Sequence, residues 1–390
     1  MADPFISFNK PYLTGKELEY ITQALVSGHL AGDGPFAKAC QVWLEHHTGT
    51  HRVLLTPSCT AALEMSALLL DIQAGDEVIM PAFTFVSTAN AFVLRGGVPV
   101  WVDIRPDTLN INETLIEAAI TSRTRAIVPV HYAGVACEMD TILAIARRHR
   151  LAVIEDAAQG VMAYYKGRAL GSIGNLGTYS FHGSKNITCG EGGALLVNNP
   201  QWIKSSEIMR EKGTDRSSFL RGEVDKYTWQ SIGSSFLPNE ITAAFLLAQL
   251  QGAERITQER LARWRYYHEQ LASLETQGIL QRPTIPQECQ HNAHFYYVLL
   301  DPKIDRPRLL KHFKKNNITV SSHYIPLDCS PGGKKYGHVH GQLTITHQVN
   351  QQLLRLPLWV EMRELQQEHV LSVLSEVIRG TNASGDVGNK

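Results

Sequence analysis

This chain of 390 residues lacks an excess of either charge, since 37 Lys and Arg balance 37 Asp and Glu. Bulk attraction to nucleic acid is therefore excluded as a main property, although a local basic patch can still bind phosphate. No apolar run is long enough to span a bilayer, and residues 1–10 hold no signal-peptide-like stretch, so no membrane association is expected. The six cysteines (Cys40, Cys59, Cys137, Cys189, Cys289 and Cys329) stand singly, without Cys-x-x-Cys spacing. They read as reduced thiols of a cytoplasmic protein and not as a disulfide framework. Neither a Gly-x-Gly-x-x-Gly signature nor a P-loop occurs. His338-x-His340 has no further ligands close in sequence, and His46-His47 lies on a helical pattern, so no metal site is expected. What remains is an ordinary soluble balance, 44% hydrophobic and 19% charged.

Short apolar, β-branched runs alternate with helical patterns through the first half. Residues 51–55, 77–80, 99–104, 126–131 and 151–155 predict buried strands, and 177–182 and 194–198 add two more. The result is an α/β fold with a roughly seven-stranded sheet between helices. Thr14 and Glu17 predict a capping box for an N-terminal helix that Gly28 can end. Residues 240–271 read as one long helix, which places a domain boundary near 250. Beyond it, strands at 295–300 and 319–324 and helices at 306–315 and 364–379 predict a smaller α+β domain. The expected division is a large domain 1–250, a small domain 251–380 and a disordered tail 381–390.

Three segments carry candidate chemistry. Pro57-Ser58-Cys59-Thr60-Ala61-Ala62 stands where a strand gives way to a helix. Free N–H groups and the helix dipole suit a phosphate there, and an N-cap by Ser58 or Thr60 is the plainer alternative. Ile154-Glu155-Asp156-Ala157-Ala158-Gln159 ends an apolar strand, the edge at which α/β sheets bind ligands. A carboxylate there can hold a ring nitrogen protonated, whereas an Asp that merely caps a turn would do nothing further. Ser180-Phe181-His182-Gly183-Ser184-Lys185-Asn186 precedes Gly190-Glu191-Gly192-Gly193. A lysine at a strand exit near apolar walls can have a lowered pKa and act as a nucleophile. The glycines let backbone pass close to a ligand.

In this order, the three segments resemble the pattern of fold-type-I sugar aminotransferases of the DegT/StrS family, which depend on pyridoxal 5′-phosphate (PLP). The resemblance runs from Gly32-Asp33-Gly34 to His323-Tyr324-Ile325-Pro326. Within the family, residues 54–63, 84–94, 128–140 and 211–229 are most similar to transaminases that make dTDP-4-amino-4,6-dideoxygalactose for enterobacterial common antigen. The resemblance implies that Lys185 links to the cofactor and shuttles a proton, that Asp156 pairs with the ring nitrogen, and that Gln159 lies near the ring. It further implies a phosphate site of Thr60, Ala61 and Ser180, with Ser58 and Cys59 nearby. Phe85 is expected to stack on the ring and His182 to line the site, unless His182 is a core histidine bonded to backbone. The implied substrates are a dTDP-linked 4-keto-6-deoxyhexose and L-glutamate, and the implied assembly is a homodimer with sites at its interface.

Departures matter as well. Gly233-Ser234-Ser235-Phe236-Leu237 places Ser235 where many relatives have an Asn that reaches the partner's cofactor phosphate. Asp328 follows Pro326-Leu327 where relatives tend to have His, so a substrate contact there is not carried over. Lys212, Arg216 and Arg221, beside Tyr227 and Trp229, form a candidate nucleotide-diphosphate site or else a solvated loop. His323 and Tyr324 join the candidate substrate residues. Rival readings are amination at C3, a sugar dehydratase, which in relatives has His in place of the Lys, and a regulatory protein binding PLP or a sugar nucleotide without catalysis.

Overall fold

The structure is a computed structural model that describes residues 5–384. Strands β1 (Arg52–Thr56), β2 (Glu77–Pro81), β3 (Val98–Val102), β4 (Thr124–Ile127), β5 (Ala152–Asp156), β6 (Leu176–Ser180) and β7 (Gly193–Val197) form at the seven expected places. The C-terminal region adds β8 (Leu280–Gln281), β9 (Tyr296–Leu300), β10 (His338–Val339) and β11 (Leu353–Leu356). The main sheet has eight strands in the order β1-β7-β6-β5-β4-β2-β3-β10. Pairing is parallel from β6 to β10, and β7 runs antiparallel to both β1 and β6. The eighth strand comes from the His338-x-His340 segment, which lies against β3 and is too short to show a pattern in the sequence.

The helices used below are α1 (Glu17–Ser27), α2 (Pro35–Thr48), α3 (Cys59–Leu69), α4 (Val86–Val93), α5 (Met139–His149), α6 (Glu240–Gln251), α7 (Ala253–Gln270), α8 (Arg306–Lys315), α9 (Thr344–Gln352) and α10 (Glu364–Ser384). Period-two alternation divides the sheet into two buried faces. Val53, Leu55, Ile79 and Val153 pack with Leu44 of α2, Ile142 of α5 and Leu246 of α6. Leu54, Val78, Met80 and Ile154 pack with Met65 of α3 and Phe92 of α4. Burial on both sides explains why these strands read as continuous apolar runs. A separate core joins Trp264 and Tyr267 of α7, Val298, Leu354 and Val370 of α10 around the three-stranded sheet β8-β9-β11.

Several expectations change in detail. Only the Glu17 half of the capping box forms, with Glu17 accepting from the Thr14 N–H at 2.7 Å. Glu17 also accepts from Gln249 Nε2 at 2.7 Å, which ties α1 to α6. Gly28 ends α1 at φ 71°, as expected. The long helix at 240–271 is broken at Gly252, where a Cβ would lie 2.7 Å from Thr14 Cγ2. The strand expected at 319–324 is reduced to the single bridge of Ser321 with Arg355, and Ile318, just before it, bridges to Ile6. Helix α10 runs to Ser384, so residues 381–384 are helical; the rest of the expected tail, 385–390, lies outside the described residues. Among the described residues no helix is long and apolar enough to cross a membrane.

Candidate active site

Strands β1, β5 and β6 end on the same edge of the sheet, because β7 is antiparallel to both of its neighbours. Gly193 at the start of β7 faces Thr56 on one side and Ser180 on the other. A Cβ on Gly193 would lie 2.3 Å from the carbonyl carbon of Ser58. Part of the glycine-rich stretch thus serves close approach to the Ser58–Cys59 backbone. Above this edge opens a cavity of about 430 Å³. Its walls include Ser58, Cys59, Thr60, Phe85, Asp156, Gln159, Ser180, His182 and Lys185, together with His323 and Tyr324. Eleven sequence-predicted residues, from five separate segments, therefore converge.

Asp156 is buried at the end of β5. Its Oδ2 accepts from Thr88 Oγ1 at 2.7 Å, and its Oδ1 from the Ala158 N–H at 3.1 Å. Two donors hold it as a fixed carboxylate facing the cavity. The adjacent Glu155 points the other way and is structural: it accepts from the N–H groups of Gly171, Ile173 and Gly174 and from buried His131. Lys185 follows a turn closed by its own N–H on the His182 carbonyl at 2.9 Å. Burial pulls its ammonium pKa below the usual value; Cys59 and Asp156 oppose this, and Arg355 adds to it. Burial likewise pushes the Cys59 thiol far up, so it stays protonated.

The phosphate-site expectation divides in two. Ser58 is the N-cap of α3, and its Oγ accepts the Ala61 N–H at 3.1 Å, so that N–H is already engaged. Ala61 itself does not line the cavity. Thr60 does, and its hydroxyl donates to Ser87 Oγ at 2.8 Å, in the same wall. Phe85, at the N-cap of α4, is 58% exposed and presents its ring at the mouth. His182 is an exposed rim residue, 2.8 Å from Ser184 Oγ and 3.6 Å from Glu191, and not a core histidine. Gln159 accepts the Ala133 N–H at 2.7 Å and donates to the Tyr324 hydroxyl at 3.3 Å. His323 stacks on Tyr324 with centroids 4.1 Å apart. Burial and the cations Arg355 and Lys185 drive the His323 pKa down to about 2, so it is neutral.

Besides Ala61, five expected residues do not reach this cavity within the chain. Ser235 bridges to Glu211, and Lys212 and Arg216 also pair with Glu211, at 3.4 and 3.0 Å. Arg221 pairs with Glu207 and Glu223, and Tyr227 packs on Phe219. The family-motif residue Asp33 is likewise occupied, by buried Arg210 at 2.8 Å. Conversely, the sequence reading missed Arg355, Arg260 and His294, which line the cavity. Arg355 lies over Phe8 at 4.6 Å and Phe295 at 5.2 Å, donates to Ser321 Oγ at 3.0 Å, and has no partner at Nε. A single arginine inside the apolar strand Leu353-Leu354-Arg355-Leu356 was the available signal.

A nucleophilic lysine kept short of solvent, a fixed carboxylate across the cavity and a helix N-terminus beside them suit an aldehyde cofactor that carries a phosphate and a basic ring nitrogen. That donor set defines a PLP-type transferase. The chain belongs to the DegT/DnrJ/EryC1/StrS aminotransferase family, which matches residues 11–375. It is 34% identical over 384 residues to an uncharacterised protein of Methanocaldococcus jannaschii, covering 97% of this chain and 98% of that one. It is 31% identical over 389 residues to the spore coat polysaccharide biosynthesis protein SpsC of Bacillus subtilis, covering 97% and 98%. Among solved structures, the aminotransferase TlmJ of Streptoalloteichus hindustanus superposes with a TM-score of 0.86 at 26% identity, covering 98% of this chain and all of that one. The chain is thus an enzyme that transfers amino groups in sugar metabolism, and PLP is its cofactor.

Proposed function

We propose that this enzyme moves the amino group of L-glutamate to C4 of dTDP-4-keto-6-deoxy-D-glucose, giving dTDP-4-amino-4,6-dideoxy-D-galactose and 2-oxoglutarate. The observation that carries the transamination is the meeting of Lys185 and Asp156 in one desolvated cavity. The choice of sugar rests on the resemblance of the segments 54–63, 84–94, 128–140 and 211–229. Similarity to a polysaccharide biosynthesis protein supports a glycan precursor as the product, with enterobacterial common antigen as one destination.

PLP, once linked to Lys185, supplies the electron sink of the reaction. Asp156, pinned by Thr88 and Ala158, would hold the proton on the ring nitrogen. Thr60 and Ser180, with the N-terminus of α3, would take the phosphate. Lys185 Nζ, whose charged form is disfavoured by burial, is available as a neutral amine to take a proton from the carbon that bears the amine and return it. Arg355 offers an unpaired cation to an anionic group of donor or sugar nucleotide. The neutral His323 and the Tyr324–Gln159 pair would shape the wall that excludes water.

The exposed apolar residues Phe85, Ile325 and Trp229 (58, 75 and 81% exposed) support a homodimer. Ser235, Lys212, Arg216, Arg221 and Tyr227 would enter a site only across that subunit boundary. Sedimentation of the purified protein tests the assembly. The reaction is tested by absorbance: glutamate should bleach the band of lysine-linked cofactor, and dTDP-4-keto-6-deoxyglucose should restore it. Bleaching without restoration rejects this sugar. A protein that takes up no cofactor rejects the whole reading.

A further inference from the structure

Away from the residues assigned to transamination, Asp328, Cys329 and His347 bring one carboxylate oxygen, one sulfur and one imidazole nitrogen within 4.8 Å of one another. We propose that they bind a zinc ion, or a divalent ion of the same class, as a three-residue clamp. With His347 Nε2 as the ligand nitrogen, the two separations made by Asp328 Oδ2 suit that ion, and the sulfur lies within 4.8 Å of the nitrogen. Asp328 Oδ2 lies 3.3 Å from His347 Nε2 and 3.6 Å from Cys329 Sγ. Tetrahedral zinc, with bonds of about 2.0 Å to N and O and about 2.3 Å to S, requires ligand separations of about 3.3 and 3.5 Å. Cys329 Sγ is also 3.8 Å from His347 Nδ1, so the imidazole already lies beside the thiol.

A second observation points to a missing partner. The Asp328 side chain is only 10% exposed, and its Oδ1 is buried with no hydrogen-bond partner. Oδ2, on the same carboxylate, faces His347 and Cys329, so an ion held by both oxygens would give the buried Oδ1 the partner it lacks. Thiolate, imidazole and carboxylate together favour zinc over magnesium or calcium, and water would fill the fourth position. Binding displaces the Cys329 thiol proton to solvent; no redox step is involved.

The two sides of the clamp come from different segments. Asp328 and Cys329 sit in a 3₁₀ turn whose Leu327 N–H donates to the Ala82 carbonyl, just beyond β2. His347 lies on α9, whose first N–H groups, at Ile345 and Thr346, bond to Asp103 beyond β3. Zinc would lock the turn to α9 three residues after Pro326, and so fix the strap that carries His323 and Tyr324 into the cavity wall. Both the Asp328–Cys329 pair and His347, 18 positions later, are too far apart in sequence to read as a metal motif, which is why no metal was expected.

The test uses the full-length holoenzyme stripped of metal with a chelator. Calorimetric titration with Zn²⁺ should give one ion per chain, and Co²⁺ should show the visible bands of a tetrahedral thiolate site. Cys329→Ser should abolish those bands, and Cys329→Ser and His347→Ala should each weaken Zn²⁺ binding at least tenfold while retaining the wild-type circular dichroism. Zn²⁺ should also raise the unfolding midpoint of the wild type and not of the variants. Absence of stoichiometric binding overturns the proposal, as does binding that survives either substitution unchanged, which would mark an adventitious surface histidine. Because Lys185→Ala should leave Zn²⁺ binding intact, failure here is distinguishable from failure of the transaminase reading.

Discussion

Lys212, Arg216 and Arg221 each face a carboxylate, whereas Lys185, Arg260 and Arg355 line a cavity where, among the described residues, none of them forms an ion pair. Arg260 instead donates to the carbonyls of Ala293 and His294 at 3.0 and 2.7 Å. Sequence patterning favoured the first group, because basic residues clustered beside aromatics look like an anion site. The structure assigns their charge to Glu207, Glu211 and Glu223, glutamates of the same chain. A cation already paired has little left to give a ligand, while a desolvated cation without a counter-ion gains most from an anionic substrate. The contrast predicts that the absence of a partner guides binding better than the number of basic residues in a segment.

The sharpest way to break this contrast is through the cavity lysine. Lys185→Ala should lower turnover by more than about a thousandfold and remove the absorbance of linked cofactor, because both the nucleophile and the proton carrier are lost. Near wild-type turnover in single-turnover and steady-state assays would remove Lys185 from its role. Next in size is Asp156→Ala, expected to cost about a hundredfold or more in kcat while some cofactor is retained. Full activity would show that the ring nitrogen needs no carboxylate. Arg355→Gln should then reduce kcat/KM by about a hundredfold, as expected for loss of a desolvated charge partner, with little change in cofactor content. An unaltered kcat/KM would show that the unpaired arginine is structural.

How much of this was legible follows the same physics. The seven main strands were readable because burial on both faces leaves unbroken apolar runs, and Lys185, Asp156 and Gln159, which line one cavity, stood out as candidates because each follows a strand exit in a recognisable order. The eighth strand was not, since His338–Val339 is two residues long and is set by its pairing with β3. Arg260, His294 and Arg355 were missed because each comes from a helix, loop or strand of the C-terminal half whose position over the sheet edge depends on tertiary packing. At the break, Gly252 packs so closely on Thr14, more than 200 residues earlier, that a Cβ would clash with it, and no local pattern records that contact.

A pH profile refines the contrast further. In the folded protein the Lys185 ammonium is held below its ordinary pKa of 10.5, chiefly by burial. The neutral amine therefore accumulates at lower pH than for an exposed lysine, and PLP capture by apo-enzyme should rise with pH and level off below that value. Arg355 contributes to the depression, so Arg355→Gln should move the limb to higher pH. A limb that moves down, or stays fixed, would mean that the two cations do not sense each other across the cavity.

The smallest expected effect is the one that most directly tests the paired group. Arg216 Nη1 holds Glu211, whose side chain is 2% exposed, and Lys212 is the other cation on it. Arg216→Gln should lower the unfolding midpoint, since a buried carboxylate loses one partner, yet leave kcat/KM for the sugar nucleotide within about threefold of wild type. A larger loss confined to KM for the nucleotide, with the midpoint unchanged, would reverse the comparison. It would mean that in the dimer the loop trades Glu211 for the partner subunit's substrate, so that the ion pairs within one chain are only the resting arrangement of a shared site.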